Sequence, residues 1–280
     1  MSPGHTRVGI VVLNYRGAAD TIACIESLQK LDERARLVVV DNGSGDRSVE
    51  QLGAVAGIEL IANVSNVGFA AGNNVAIDRL LDDGIEFVWV LNNDTVVEPS
   101  ALSELLAVAD ADPGVGAVGS VLFDLADPHR LLTWGGGAVH RWTGRTRDAR
   151  TASDRLDYLT AASVLLRAAA IRQVGCFDTR YFFTWEDVDL GVRLTHAGWR
   201  LVVAERSRVW HRWGGTLEPL APARFEHHAA GLVVFQRTHS RAPCLTTLPM
   251  LGYYAASAGR HRRLALWRGA WRGWRAGWSR

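Results

Sequence analysis

"GIVVLNYRGAADTIACIESLQKLDERARLVVVDNGSGD", residues 9 to 46, holds two short apolar runs with a helical pattern between them. The runs at 8–13 and 37–40 are continuously apolar and rich in β-branched residues, as strands buried on both faces of a parallel sheet require. Between them Ile22, Ile25, Leu28 and Leu31 recur at helical spacing. Each run stops at polar residues, first Asn14 and Tyr15, then Asp41 to Asp46. Strand, helix and strand in this order predict a right-handed βαβ unit.

The pattern continues outward. Apolar runs at 58–62, 87–91 and 115–123 alternate with helical patterns near 72–82 and 99–110, and Pro99 suits a helix start. Such alternation predicts an open α/β sheet, in which ligands collect beyond the carboxyl ends of the strands. The later strands also stop at polar residues, Asn63 to Asn74 and Asn92 to Asp94. Short βα turns use Asn, Asp, Gly and Ser anyway, which explains any one of these stops. Four on one edge also describe a binding rim. The first turn, "NYRGAAD", lacks G-x-G-x-x-G, and no G-x-x-x-x-G-K-[ST] occurs, so any nucleotide is bound by another scheme.

With 280 residues, 48% hydrophobic and 21% charged, the chain reads as globular, not disordered. Cys24, Cys176 and Cys244 are too widely spaced for a disulfide framework or a thiolate metal site, which fits a reducing cytoplasmic setting. The first apolar run is too short for a membrane span and lacks the features of a signal peptide, so no export is expected. Charge is uneven. Residues 260 to 280 carry seven arginines and no acid, leaving 24 basic and 29 acidic groups in the first 259, or −5.

A second informative stretch is "FFTWEDVDLGVR", residues 182 to 193, with carboxylates at Glu186, Asp187 and Asp189. One reading is structural: Thr184 and Asp187 stand at capping-box spacing, acids favour a helix N-terminus, and Asp189 pairs with Arg193. The other makes Glu186 and Asp187 active-site groups, since neighbouring carboxylates raise each other's pKa.

The motifs "VVLNYRG", "VVVDNGSGD", "NVGFAAGNN", "VLNNDTVV", "VGCFDTRYFFTWEDVDLGVRLTHAGW" and "VWHRWGGT", in this order over residues 7 to 216, resemble the family 2 inverting glycosyltransferases of the GT-A fold, most closely their bacterial rhamnosyltransferase-like branch. The resemblance implies a Rossmann-like, open, mostly parallel sheet flanked by helices, a nucleotide-sugar donor, Mg²⁺ or Mn²⁺, and a hydroxyl acceptor. A cation stabilises the departing diphosphate, and these ions take one or two protein carboxylates. Asp94 is the implied first metal ligand, where the family often has Asp-x-Asp and this chain has Asn92-Asn93-Asp94. His211 is the second candidate, contacting metal or diphosphate, ahead of a Gly-Gly-Thr turn; His140, His196 and His227 have no such motif behind them. Asp41 is implied to accept the imide N–H of uracil or thymine. Asn14, Asn92, Asn93 and the loop Asn66 to Asn73, including Gly68, Phe69 and Gly72, would line the donor site, the glycines admitting close backbone approach. Asp187 is the implied base that deprotonates the acceptor hydroxyl, with Glu186 as alternative base or acceptor-orienting group, and Asp189 and Arg193 hold the helix.

The resemblance places a transferase domain at 1–220, its donor half about 1–123 and its acceptor half about 124–220, ahead of a helical Trp/Arg-rich segment at 221–280. In that segment Leu264, Trp267, Trp271, Trp274 and Trp278 share one helix face, and most arginines lie off it. This predicts a helix in an anionic membrane interface. The other reading packs the face on the body or on a second subunit of a homo-oligomer. The net-acidic body argues against nucleic acid. Residues 242 to 259, interrupted by Pro249, are too short for a span but suit a shallow membrane-lying segment. The expectation is a peripheral enzyme at the inner face of the plasma membrane, moving L-rhamnose from dTDP-rhamnose to a polyprenyl-diphosphate-linked or other glycan in envelope assembly. Alternatives are galactofuranosyl or other hexosyl transfer from a UDP-sugar, and a non-catalytic nucleotide-binding subunit.

Overall fold

The first four apolar runs become parallel neighbours in a computed structural model that describes residues 6–212, 222–260 and 264–280. β1 (Val8–Asn14) lies between β2 (Arg36–Asp41) and β4 (Phe87–Asn92), with β3 (Glu59–Ala62) outside β2. The crossovers are α1 (Ala18–Leu28), α2 (Ser48–Gly53) and α3 (Phe69–Asp82). After β5 (Thr95–Val97) and α4 (Ala101–Ala111), the long β6 (Val115–Asp124) leads through β7 (Leu131–Thr133) to a small antiparallel sheet of β8 (Gly136–His140), β9 (Arg145–Asp148) and β10 (Tyr158–Leu159).

Beyond β4 the main sheet becomes mixed. β11 (Ser163–Arg167) enters antiparallel between β4 and β6, so the 115–123 run is not the next parallel neighbour of β4. After α5 (Ala168–Val174) and α6 (Glu186–His196), β12 (Arg200–His211) runs parallel to β6 and antiparallel to β5. The order β3-β2-β1-β4-β11-β6-β12-β5 keeps the expected GT-A arrangement of a sheet flanked by helices.

Strand periodicity divides the core into two layers. Ile10 and Val12 of β1 face Ile25 of α1 and Leu102 of α4, whereas Val11 faces Ile77 and Leu80 of α3. Each fully buried leucine of this kind contributes about 1.5–3 kcal/mol. A third cluster joins Tyr158, Tyr181, Trp185 and Val188 to α7 (Pro222–His239), α8 (Pro243–Arg260) and α9 (Leu264–Ser279). The C-terminal helices therefore share their core with α6. The 220/221 boundary and the Gly214-Gly215-Thr216 turn lie outside the described residues.

Two local expectations change. Helix α6 begins at Glu186 with Trp185 at the N-cap position, and no side-chain cap bond is made. Thr184 and Trp185 both have positive φ, 67° and 78°, which moves the helix start past Thr184 and puts Asp187 at the second helical position, so the capping box does not form. The Asp189–Arg193 pair does form, at 2.6 Å. In α9, the buried stripe is Leu266, Gly269, Ala270, Gly273 and Gly277. A Cβ on Gly273 would stand 2.0 Å from the Glu226 carbonyl, so these glycines let α9 lie directly on the α7 backbone. Trp267, Trp274 and Trp278 are thereby drawn against the third core cluster, and Arg272 pairs with Glu226.

Candidate active site

Two cavities at the carboxyl edge of the sheet share His211 as a common wall. The larger, about 390 Å³, is bounded by the ends of β1, β2, β4 and β12 and by the first turn of α7. Pairing of β12 with β5 sets His211 opposite Thr95, so the imidazole meets the preceding Asp94: Nε2 lies 3.1 Å from Oδ1. The Asn92 amide nitrogen is 3.2 Å from the same Nε2. Asn93 turns the other way, donating to Thr21 Oγ1 at 3.0 Å and tying this turn to α1.

The loop at 66–69 closes another wall. Gly68 has φ +90°, and a Cβ there would stand 2.6 Å from the Phe182 carbonyl, which accepts the Phe69 N–H at 2.7 Å. Asn66 Oδ1 accepts from Gly68 N and from the Asn42 amide, at 2.9 and 3.0 Å. Asn66, Gly68, Phe69, Asn92, Asn93, Asp94 and His211 all line this cavity.

Four expected donor-site residues stand behind it instead. Asp41 is buried and accepts from Asn14 Nδ2 (2.7 Å), Ser44 Oγ (2.6 Å) and Ser44 N (3.0 Å), so its carboxylate organises the 41–44 loop. Asn14, fully buried, also accepts from Thr21 Oγ1 at 2.8 Å. Gly72 admits Leu13, whose Cδ1 would lie 2.8 Å from an added Cβ, so its smallness serves helix–strand packing. Asn73 is buried and donates to Phe69 O at 2.9 Å.

The second cavity, about 220 Å³, is lined by Asp148, Thr160, Thr184, Asp187 and His228. Asp187 Oδ1 accepts the Val188 N–H at 2.8 Å and Oδ2 the Ala161 N–H at 3.3 Å. Burial pushes the Asp187 carboxyl up to about 6 despite these bonds, with Asp148 adding repulsion. Glu186 is also buried, its Oε2 has no partner among the described residues, and burial plus the charge of Asp187 holds its pKa well above the usual range. Glu186 lines neither cavity. Adjacent peptides tie the two halves together, because Ala161 N bonds Asp187 while Ala162 O accepts Asn92 N at 3.1 Å.

The left-handed pair Thr184–Trp185 aims these carboxylates at a strain cost of about 1–3 kcal/mol per residue. Packing holds it: Trp185 packs at a tilt against Phe235 with centroids 5.1 Å apart, and an added Cβ on Gly231 of α7 would lie 2.8 Å from its ring and 3.0 Å from Thr184 O. Gly231→Ala is therefore expected to shift the turn and lower turnover at least tenfold while changing nucleotide affinity little. A KM-against-kcat comparison with the donor checks this.

Residues 2–228 match the family model described as "Glycosyltransferase like family 2". The chain belongs to this family. Over 270 residues, 85% of this chain and 88% of the relative, it is 29% identical to the N-acetylglucosaminyl-diphospho-decaprenol L-rhamnosyltransferase of Mycobacterium tuberculosis. The crystal structure of GalNAc-T7 with UDP, GalNAc and Mn²⁺ is similar at a TM-score of 0.66 and 13% identity, over 83% of this chain and 48% of that one. The mannosyltransferase PcManGT of Pyrobaculum calidifontis, solved with GDP-Man and Mn²⁺, is similar at 0.60 and 17%, over 99% and 86%. These likenesses establish the GT-A fold of this glycosyltransferase.

Several cavity residues of this family member were assigned no role from sequence. Tyr15 and Asn42 lie within the polar strand stops and Phe182 within the carboxylate-bearing motif, so the motifs signalled them without a role. Arg224 and His227 had no local signal; α7 brings them over the larger cavity, where His227 stacks on Phe182 at 4.7 Å between centroids. The donor set also fits a divalent cation. Two ligands about 2.1 Å from one octahedral ion and at right angles stand about 3 Å apart, and Asp94 Oδ1 and His211 Nε2 are 3.1 Å apart. Among the described residues no cluster of three or more His, Cys, Asp or Glu could hold a metal, so phosphate oxygens and water would complete the shell.

Proposed function

We propose that this glycosyltransferase moves a sugar, L-rhamnose from dTDP-rhamnose, onto a hydroxyl of a lipid-linked glycan in cell-envelope assembly, with inversion at the anomeric carbon. The observation that carries this reading is the pair of adjoining cavities that share His211. One offers Asp94 and His211 to a diphosphate, and the other presents Asp187 to an incoming alcohol. The sugar and the acceptor rest on the mycobacterial relative, whose name specifies rhamnose and a decaprenol diphosphate.

Mg²⁺ or Mn²⁺ held by Asp94 and His211 would neutralise the diphosphate charge as the glycosidic bond breaks. Arg224 at the cavity wall adds a fixed positive charge for phosphate. Asp187 takes the proton of the acceptor hydroxyl as that oxygen attacks the opposite face of the sugar. Burial and the charge of Asp187 raise the Glu186 carboxyl, and Asp187, which lines the second cavity, is the member of the pair proposed to take the proton. The transfer unit, expected at 1–220, is proposed to extend into α7, which supplies Arg224 and His227 to the larger cavity and Gly231 to the Thr184–Trp185 turn, leaving α8 and α9 for association with the inner face of the plasma membrane.

A panel of nucleotide sugars, incubated with the full chain and Mn²⁺, Mg²⁺ or EDTA, tests the donor. dTDP-rhamnose is expected to be hydrolysed slowly in metal and not in EDTA, and Asp94→Ala to lower that rate at least tenfold. Turnover of UDP-galactofuranose instead would replace the sugar assignment, and nucleotide binding without turnover of any donor would remove the catalytic one.

A further inference from the structure

The outer side of α8 is an apolar surface without a cover among the described residues. Leu245, Leu248 and Tyr253 are 67%, 54% and 69% exposed, and Pro249, Gly252, Ala255 and Ala256 lie exposed among them. At 100° per residue these seven positions occupy one arc of about 160°. Met250 and Tyr254 face the opposite way and are buried in the third core cluster. In the whole of α8 the one charged residue is Arg260, at its last position. α9 packs on α8 and adds two exposed apolar residues, Leu264 at 71% and Trp271 at 42%.

Charge surrounds this face with one sign. Residues 227 to 280 contain nine arginines and no Asp or Glu. Arg241 and Arg260 stand exposed at the two ends of α8, and Arg268 and Arg275 are exposed on α9. No helix among the described residues is long and apolar enough to cross a membrane. A second copy docked face to face would bring two such basic surfaces together, because an isologous interface repeats the same patch on both sides.

We infer that the outer face of α8, extended by Leu264 and Trp271, is the surface on which the protein lies in the headgroup region of an anionic membrane. α8 is about 27 Å long, its apolar arc sits at the acyl boundary, and the flanking arginines meet lipid phosphates. This deepens the peripheral-membrane reading and changes its geometry. The Trp267, Trp274 and Trp278 side of α9, which periodicity marked as the membrane face, is half-buried against the protein instead. The inference is independent of the sugar transferred.

Cys244, exposed at the start of α8, gives the probe. Cys24 and Cys176 are shielded, their thiols pushed up to about 12 by burial. Full-length protein labelled there with an environment-sensitive bimane is mixed with vesicles of phosphatidylglycerol and phosphatidylcholine, or of phosphatidylcholine alone. Bimane emission is expected to shift to the blue, and the protein to sediment, with the anionic vesicles. Leu248→Glu with Tyr253→Glu is expected to weaken that binding at least tenfold, with melting temperature and nucleotide binding unchanged. Wild-type vesicle binding by the double variant would overturn the inference, as would equal binding to both lipids, or lipid-free self-association that the double variant abolishes. Nucleotide binding measured on the same preparation keeps a failure of membrane docking distinct from a failure of the catalytic reading.

Discussion

Asp187→Asn is expected to slow sugar transfer by about 10²–10⁴-fold, the usual contribution of a positioned general base. Donor affinity should change little, because Asp187 faces the second cavity and the groups proposed to meet the diphosphate line the first. Stability should move the opposite way. A carboxyl whose pKa is about 6 when folded, against a model value of 3.8, binds its proton more tightly in the folded protein. Its contribution is therefore complete below the unfolded pKa and lost as pH rises through about 6, a loss of about 3 kcal/mol above that pH. The asparagine variant escapes this loss but gives up one of the two backbone N–H bonds, so at pH 8 it should melt close to wild type. In wild type the base must be ionised, so kcat/KM should rise through pH 6 to a plateau, and the variant should lack that limb. Rate, melting temperature and pH profile together separate a catalytic carboxylate from a structural one. An active variant with an unchanged profile would remove Asp187 from the reaction.

The second large effect is expected at Asp189, which touches neither cavity. Its fully buried carboxylate accepts from Arg193 Nε at 2.6 Å and Tyr181 Oη at 3.3 Å, and lies 2.7 Å from His239 Nε2. Arg193 also donates to the carbonyls of Val174, Gly175 and Cys176. One side chain thus joins α6 to the segment after α5 and to the end of α7. Asp189→Ala leaves Arg193 without its counter-charge and His239 without its hydrogen-bond partner, and breaking a buried pair from one side costs about 3–5 kcal/mol. For a chain of this length that is a fall in melting temperature on the order of 10 °C. Asp189→Asn, which keeps an acceptor, should lose less. Equal melting temperatures for wild type and Asp189→Ala would show that α6 is held by its apolar contacts alone.

How far the site could be read from sequence depends on where each residue's partner lies. Asp94 and His211 were both marked by their motifs, and β12–β5 pairing brings them within 3.1 Å. Asp41 and Asn14 were marked equally clearly, yet they bond each other behind the cavity. A polar residue at a strand end has one appearance in sequence whether it faces a ligand or braces the loop that does. Thr184 carries the same lesson, since its capping-box spacing yields to the left-handed turn that Gly231, far along the chain, makes room for. Arg224 and His227 show the converse, reaching the cavity from a helix with no motif of its own.

By itself, the sequence determined the alternation of strands and helices, the parallel half of the sheet and the rim of polar strand ends. Those features follow from local periodicity and from turn chemistry within a few residues. Only the tertiary structure decided the antiparallel insertion of β11 between β4 and β6, the burial that raises Asp187, and the turning of the α9 tryptophans toward the body. Hydrophobic burial is proportional to area and has no direction, so a sequence shows that a face is apolar without showing what covers it. In α9 the glycines were what chose, because they let that helix approach α7 more closely than any face bearing side chains could.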